Sequence, residues 1–330
     1  MVRRRMRTGC GAAVAAALGA VLGWTGPLWA WNESGHTTMG VIVYRHLRPE
    51  VRAKLDDILR AHPRYAEDLL SGYAGDPSDE AAKAEHAFAK AGVWPDVLRN
   101  RQHPMHATHH RGIWHYTDRP FHPFGGEDRF VPQRPEPVQP GEPVDVVTAY
   151  VWNLERLKDE TLPASERAIA LCWVLHLAAD MHQPCHTMSM YSERHPTGDR
   201  GANEWMLTFR GERRNLHALW DGWIGTDRSM AFARRRAAEI ESLHPREQLS
   251  AELAEPDVNA WVAAAAELAI RYVYHFGMIN YPTRAEAEAN PTVTPPAVTE
   301  AYAAAATAVS LRQAALASYR MVDALNGMGN

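Results

Sequence analysis

The chain has 330 residues, 46% of them hydrophobic and 22% charged, and a formal net charge of −4. That length fits one large domain or two small ones. The acidic balance excludes a sequence-independent electrostatic grip on nucleic acid, which needs a basic surface; on a phosphodiester substrate, bound metal would have to supply the local positive charge.

Residues 1–30 read as a secretory signal peptide. Arg3, Arg4, Arg5 and Arg7 make the basic start, Cys10 to Leu22 the apolar stretch, and Gly26-Pro27-Leu28-Trp29-Ala30 the cleavage site. The apolar stretch falls short of the about 20 residues that span a membrane; an uncleaved N-terminal anchor is the competing reading. Cleavage after Ala30 makes Trp31 the first residue of the mature chain. It removes four arginines and no acid, leaving 31 basic against 39 acidic residues, a net charge of −8. The expectation is an exported protein, periplasmic or secreted, with no membrane anchor after cleavage.

From there the chain reads as helical nearly throughout. Gly40 to Arg60 carries an apolar stripe at helical spacing. Asp79 to Ala91, Val144 to Lys158, Ser165 to Met181, Leu216 to Ile224, Ser229 to Leu243, Pro256 to Phe276 and Ala297 to Leu325 follow. Ser165 and Glu166 offer an N-cap and an acidic first turn. Phe130 to Pro143 and Asn290 to Pro296 are proline-rich breaks, Arg194 to Asn203 is a glycine-containing loop, and Trp205 to Phe209 alternates like a short strand. With no internal repeat, the fold class expected is all-α, a single mostly helical domain over 31–330. Cys10 leaves with the signal; Cys172 and Cys185 are expected to be buried free thiols.

The densest chemistry is HLAADMHQPCH, His176 to His186, followed by NLHALWD. His176 and Asp180 stand four apart, as do His217 and Asp221, so each pair shares one helix face. An imidazole and a carboxylate so placed can grip zinc at about 2.0–2.2 Å. Two pairs and His186 exceed what one tetrahedral ion takes, which points to a cluster. His182, two residues past Asp180, points away from that face and is expected to be structural. Asp96 alone reads equally well as an acidic residue in the first helical turn after Pro95. His103, His106, His109 and His110 read as an exposed, histidine-rich loop, and the tryptophans Trp173, Trp205, Trp220 and Trp261 as core or rim.

Taken together, WNESGH, WPDVLR, WHYTD, HLAADMHQPCH and NLHALWD resemble the zinc-dependent single-strand nuclease family, whose helical fold is shared with zinc-dependent phospholipases C. The resemblance implies a cofactor of three Zn2+ ions. One would be held by the α-amine and carbonyl of Trp31 with His36, a second by Asp96, His115 and His176, with Asp180 bridging the two. His186, His217 and Asp221 would hold the third. A bridged pair can lower the pKa of a shared water towards neutrality. The resemblance also gives Arg99 and Asp118 catalytic roles, neutralising phosphoryl charge and orienting water. It makes Tyr116 a base-stacking platform, with plain packing as the competing role, and puts Asn203 near the substrate. The implied activity is endonucleolytic hydrolysis of single-stranded DNA and RNA to 5′-phosphate products, with 3′-nucleotidase activity, by a monomer.

Two other functions compete. A phospholipase C would use the same metals and need an apolar rim, for which Met188, Met190 and Tyr191 are candidates. A non-catalytic zinc-binding periplasmic protein would have no open coordination position. The sequence also departs from the family: Ala202 replaces a glycine, the disulfides of eukaryotic members are absent, and residues 101–110 and 188–200 read as insertions around the site mouth.

Overall fold

The computed structural model describes residues 31–132, 135–290, 292 and 294–329; the signal-peptide expectation for 1–30 lies outside them. Among the described residues the chain is mostly helical. α1 (Glu33–His46) starts where the Asn32 side chain accepts from the Gly35 N–H, and α2 (Pro49–Arg60) starts on a proline. The apolar stripe of Gly40 to Arg60 is therefore two helices. Pro49 lacks an N–H for continuing α1 but is preset for a first helical turn.

α3 (Glu80–Ala91) is capped by Asp79 and leads into the short α4 (Trp94–Val97) and α5 (His106–His109). α6 (Val146–Lys158) opens on a capping box between Asp145 and Thr148. α7 (Ala164–Asp180) begins after Pro163, whose extended ψ of 140° launches it, so Ser165 lies inside the helix and is not its cap; Glu166 does sit in the first turn. α8 (Leu216–Asp221) is capped by Asn215 and stops short of Ile224; α9 (Met230–Leu243) is capped by Ser229. α10 (Ser250–Leu253) and α11 (Val258–Leu268) follow, α11 running into a π-helical turn at Ala269–Val273. α12 (Arg284–Ala289) and the long α13 (Glu300–Asn326), capped by Thr299, end the order.

Two small sheets accompany the helices. β3 (Met206–Phe209) and β4 (Glu212–Asn215) form an antiparallel hairpin, confirming the expected strand. Its two-residue turn has positive φ at both Arg210 and Gly211, which matches strand twist. β1 (Arg119–Phe121) and β2 (Met188–Met190) pair in parallel, with Pro120 opposite Ser189. This pair ties the segment after His115 to the segment after His186.

α7 is apolar around its whole circumference, and from Ala170 onward every residue is buried. A helix of that composition belongs at the centre of a core, and α6, α13, α2 and α4 pack around it. α1 lies against α3, α9 and α13. A Cβ on Gly40 would stand 2.8 Å from the Ala89 Cα, so glycine is what lets α1 and α3 approach. A second core gathers Cys185, Met188, Met190, Trp205, Leu216, Trp220 and Tyr274. Met188, Met190 and Tyr191 are at most 5% exposed and form no apolar rim. Trp173, Trp205, Trp220 and Trp261 are buried as expected. Among the described residues no helix is long and apolar enough to cross a membrane.

Candidate metal centre

Three groups of side chains converge, each with ligand-type atoms within 4.8 Å of one another: His36, His176 and Asp180; Asp96, His115 and His176; His186, His217 and Asp221. Six elements supply them. α1 presents His36, α4 presents Asp96, and a 3-10 turn at Gly112–His115 presents His115. The C-terminal turn of α7 offers His176 and Asp180, a 3-10 turn at Pro184–His186 offers His186, and α8 offers His217 and Asp221. None of the eight is more than 6% exposed.

The distances are those of groups aimed at shared points. His176 Nε2 lies 2.8 Å from His115 Nδ1 and 3.1 Å from Asp180 Oδ2. His36 Nε2 lies 3.5 Å from Asp180 Oδ1, so the two oxygens of Asp180 face different groups. His36 and His176 stack at 4.1 Å between ring centroids. In the third group His217 Nε2 is 3.1 Å from His186 Nε2 and 3.6 Å from Asp221 Oδ2. Ligands on one tetrahedral zinc at about 2.0–2.1 Å stand about 3.3 Å apart, close to these separations.

Backbone carbonyls fix three tautomers. His176 Nδ1 donates to Gly92 O at 2.8 Å, His186 Nδ1 to His115 O at 2.5 Å and His217 Nδ1 to Gly201 O at 2.5 Å. A carbonyl only accepts, so each proton sits on Nδ1 and each Nε2 lone pair is left for an ion. Meanwhile His36 Nδ1 and Nε2, Asp96 Oδ2 and Asp180 Oδ1 are buried with no hydrogen-bond partner. Buried polar groups are rarely left so; these donor atoms fit metal ions.

The electrostatics agree. Burial holds the imidazoles of His36, His115 and His186 well below their usual range, keeping them neutral, the state that binds metal. At His176 burial works the same way, yet Asp180 and Asp96 more than offset it and raise the group. Burial pushes Asp180 up to about 6, opposed by His176, and pushes Asp221 well above its usual range, opposed by the Gln183 hydrogen bond. Carboxylates this deep need a cation to stay ionised.

The remaining expected residues surround this centre. Trp31 is fully buried and its Nε1 donates to Ala179 O at 3.0 Å, while the Asn32 N–H donates to Asp221 O at 3.2 Å. Residue 31 is thus pinned beside the end of α7. Arg99, partly exposed, stands with Nε 2.8 Å from Asp96 Oδ1. Asp118 faces solvent and accepts from the Ser189 hydroxyl at 2.8 Å. Tyr116 is half-buried, and burial raises its phenol. Asn203 is buried; its Nδ2 donates to Arg200 O at 2.8 Å while Oδ1 has no partner.

His182 is structural: Nδ1 donates to Ala178 O and Nε2 accepts from Arg320 at 2.7 Å. The histidine-rich stretch is not an exposed loop. It packs as α5 and its flanks, His103 meeting Asp68 at 3.0 Å and His106 donating to Leu98 O at 2.6 Å, because polar side chains on a folded turn find local partners. Cys172 and Cys185 are buried and unbridged, as expected.

Sequence reasoning missed the supports. Gln183 Nε2 donates to Asp221 Oδ1 at 2.6 Å, and it lies inside the HLAADMHQPCH run, where its proximity to the ligands was the available signal. Ser189 and the fully buried Asp199 had no sequence signal. Asp199 accepts from Met190 N–H, Trp205 Nε1 and the Tyr274 hydroxyl, and so locks the loop that follows β2.

A helical fold with adjoining buried groups of His and Asp could hold metal at more than one point. The S1/P1 nuclease family profile matches residues 31–329, so the chain belongs to that zinc-dependent family of nucleases, hydrolases of phosphodiester bonds in nucleic acids. Among curated proteins, none matches the chain.

Proposed function

We propose that the chain is an exported endonuclease with three zinc ions, cleaving single-stranded DNA and RNA to 5′-phosphate products and acting as a 3′-nucleotidase. The observation that carries this reading is the set of three adjoining, buried His/Asp groups, the first two of which hold ligand atoms with no hydrogen-bond partner. His36 and the amine and carbonyl of Trp31 would hold one ion, Asp96, His115 and His176 a second, with Asp180 between the two, and His186, His217 and Asp221 the third. The amine of Trp31 is free to serve only after cleavage at Ala30, and the start of the family match at residue 31 supports that boundary. Periplasmic or secreted location follows from the same cleavage.

When bound, the zinc ions supply Lewis-acid charge and lower the pKa of a water to near neutral. The chain's own residues do the rest. Arg99, already facing the cluster through Asp96, neutralises charge building on the phosphoryl oxygens. Asp118 orients the attacking water through a carboxylate steadied by Ser189. Tyr116, next to the ligand His115, stacks on an unpaired base, which favours single strands because their base faces are open. Asn203, its Nδ2 held by Arg200 O, borders the substrate, as the family resemblance implies. The protein acts as a monomer.

Hydrolysis of single-stranded DNA by the purified mature protein, with zinc and then with a chelator, tests the reading. Zinc-dependent cleavage leaving 5′-phosphate ends, abolished by Asp96→Asn, is expected. Full activity of Asp96→Asn would overturn the ligand assignment, and hydrolysis of phosphatidylcholine without hydrolysis of DNA would overturn the substrate.

A further inference from the structure

We propose that the cavity between α5, α6 and α7 is a binding site for a neutral purine base, separate from the metal centre. The cavity measures about 280 Å³. Trp114, Asn153 and Trp173, each at most 3% exposed, form its deep wall, and the half-buried Trp152 continues the lining. Trp114 stands edge-on to Trp152 at 5.5 Å and to Trp173 at 4.9 Å between ring centroids. Edge-to-face contact does not cover a ring as parallel stacking does, so indole surface is left for an occupant. Trp173 in turn lies 5.5 Å from His115 and 6.2 Å from His176 by ring centroids, so one ring separates the cavity from the second metal group.

Size, charge and polarity select the occupant. A dry apolar cavity of about 150 Å³ holds benzene; one nearly twice as large takes a fused two-ring system. It lies just below the about 300–1,000 Å³ of pockets for larger ligands. The charges around it cancel. Arg111 makes a two-pronged pair with Glu142, both contacts at 2.7 Å, and Arg156 pairs with Glu166 at 2.5 Å. Burial holds the imidazole of His109 below its usual range, so it is neutral at pH 7. Each lining arginine is therefore committed to a carboxylate, which favours a neutral ligand over a phosphate. Asn153 adds the polar edge. Its Nδ2 donates to Ala149 O at 2.8 Å, which uses one of two amide protons. The second proton and the carbonyl oxygen match the N7 acceptor and N6 amino donor of adenine, the pair of contacts that asparagine makes with this base in DNA. The indoles hold the ring by stacking, and the amide tells adenine from hypoxanthine, whose O6 sets an acceptor against an acceptor.

The test is a titration of the zinc-loaded protein with adenine, read by quenching of tryptophan fluorescence and by calorimetry. Saturable binding of one adenine per chain is expected, with hypoxanthine weaker by about tenfold or more. Trp152→Ala and Asn153→Leu should each weaken adenine binding by about 5–150-fold, whereas Tyr116→Ala, at the metal centre, should leave it within about twofold of wild type. Inorganic phosphate, a zinc ligand, should not displace the base. Should Trp152→Ala or Asn153→Leu fail to fold, Ile169→Trp replaces it: the half-buried Ile169 lines the cavity, and an indole there should fill it and abolish binding. The proposal is overturned by no saturable binding, by binding that the cavity variants retain, or by binding lost in Tyr116→Ala or displaced by phosphate, which would put the base at the metal centre. The titration reads binding and not hydrolysis, so its failure leaves the nuclease reading untouched.

Discussion

Gln183 donates through Nε2 to Asp221 Oδ1 at 2.6 Å, and its own Oε1 accepts from the Cys185 N–H at 2.6 Å. One buried amide thus orients a candidate ligand and shapes the turn that delivers His186. Outer-sphere partners of this kind set ligand direction, and losing one costs about 10–100-fold in metal affinity. Gln183→Ala should lower zinc affinity by that factor at the His186–His217–Asp221 group and leave the other two groups loaded. Competition against a chromophoric chelator would read it. Unchanged affinity for all ions would show that Asp221 needs no such support.

The loop after β2 makes an opposed pair of predictions. Gly201→Ala puts a Cβ 2.1 Å from Cys185 O and keeps φ at +62°. Something must shift, and the shift falls on the carbonyl that holds His217. We expect a loss of about 2–4 kcal/mol in stability, overpacking added to left-handed strain, with reduced zinc content. Its neighbour Ala202 already has φ +66°, a conformation costly for a residue with a Cβ. Ala202→Gly should relieve it and raise stability by up to about 1 kcal/mol. Urea denaturation of both variants decides; a stabilising Gly201→Ala would contradict the packing described.

Asp199 gives a pH dependence with a definite sign. Burial pushes its carboxyl up to about 6, although Met190, Trp205 and Tyr274 all donate to it. An acid whose folded pKa exceeds the unfolded value near 3.9 holds its proton more tightly when folded. It therefore costs stability increasingly as pH rises from about 4 to 6, and the cost is complete above that. Asp199→Asn has no such titration. It leaves one buried donor facing an amide N–H and should be less stable than wild type throughout, by about 1–3 kcal/mol at pH 5. The gap should narrow by about 1 kcal/mol on going from pH 5 to pH 7. Denaturation at the two pH values measures it; a gap that widens with pH would mean that the three donors outweigh burial.

What could be read from the sequence follows from what local spacing encodes. Four-residue spacing on a helix reports a shared face directly, so His176 with Asp180 and His217 with Asp221 were visible at once. Asp96 and His115 carry no such pairing, and only their motif context distinguished them from an acidic helix start and a run of neighbouring histidines. The break at Pro49 was written in the sequence, yet the apolar stripe continues across it because α1 and α2 bury faces against the same core. β1 and β2 are three residues each, too short for alternation to register, and their pairing depends on residues some seventy positions apart. Ser189 and Asp199 act through that pairing, which is why their partners could not be found without the fold. The supposed lipid rim failed for a related reason: Met188 and Met190 are apolar because they face a second core, and composition does not distinguish a core from a rim.

Tyr116 offers the cleanest separation of substrate binding from metal chemistry. It sits next to a ligand but is bonded through its backbone: its carbonyl accepts from the Val146 N–H at 3.1 Å, and the Thr117 N–H donates to His186 O at 2.9 Å. Truncating the ring leaves those bonds, and with them the position of His115, in place. If the ring stacks on a base, its loss removes about 1–3 kcal/mol of binding, or about 5–150-fold in KM for an oligonucleotide. kcat and zinc content should stay near wild type. A ring that merely packs would act differently: Tyr116→Ala would lower thermal stability and leave KM alone, whereas Tyr116→Phe would preserve both. Steady-state kinetics on a single-stranded oligonucleotide, with a melting curve for each variant, separate the two. A rise in KM for Tyr116→Ala that Tyr116→Phe does not share would assign the ring to the substrate.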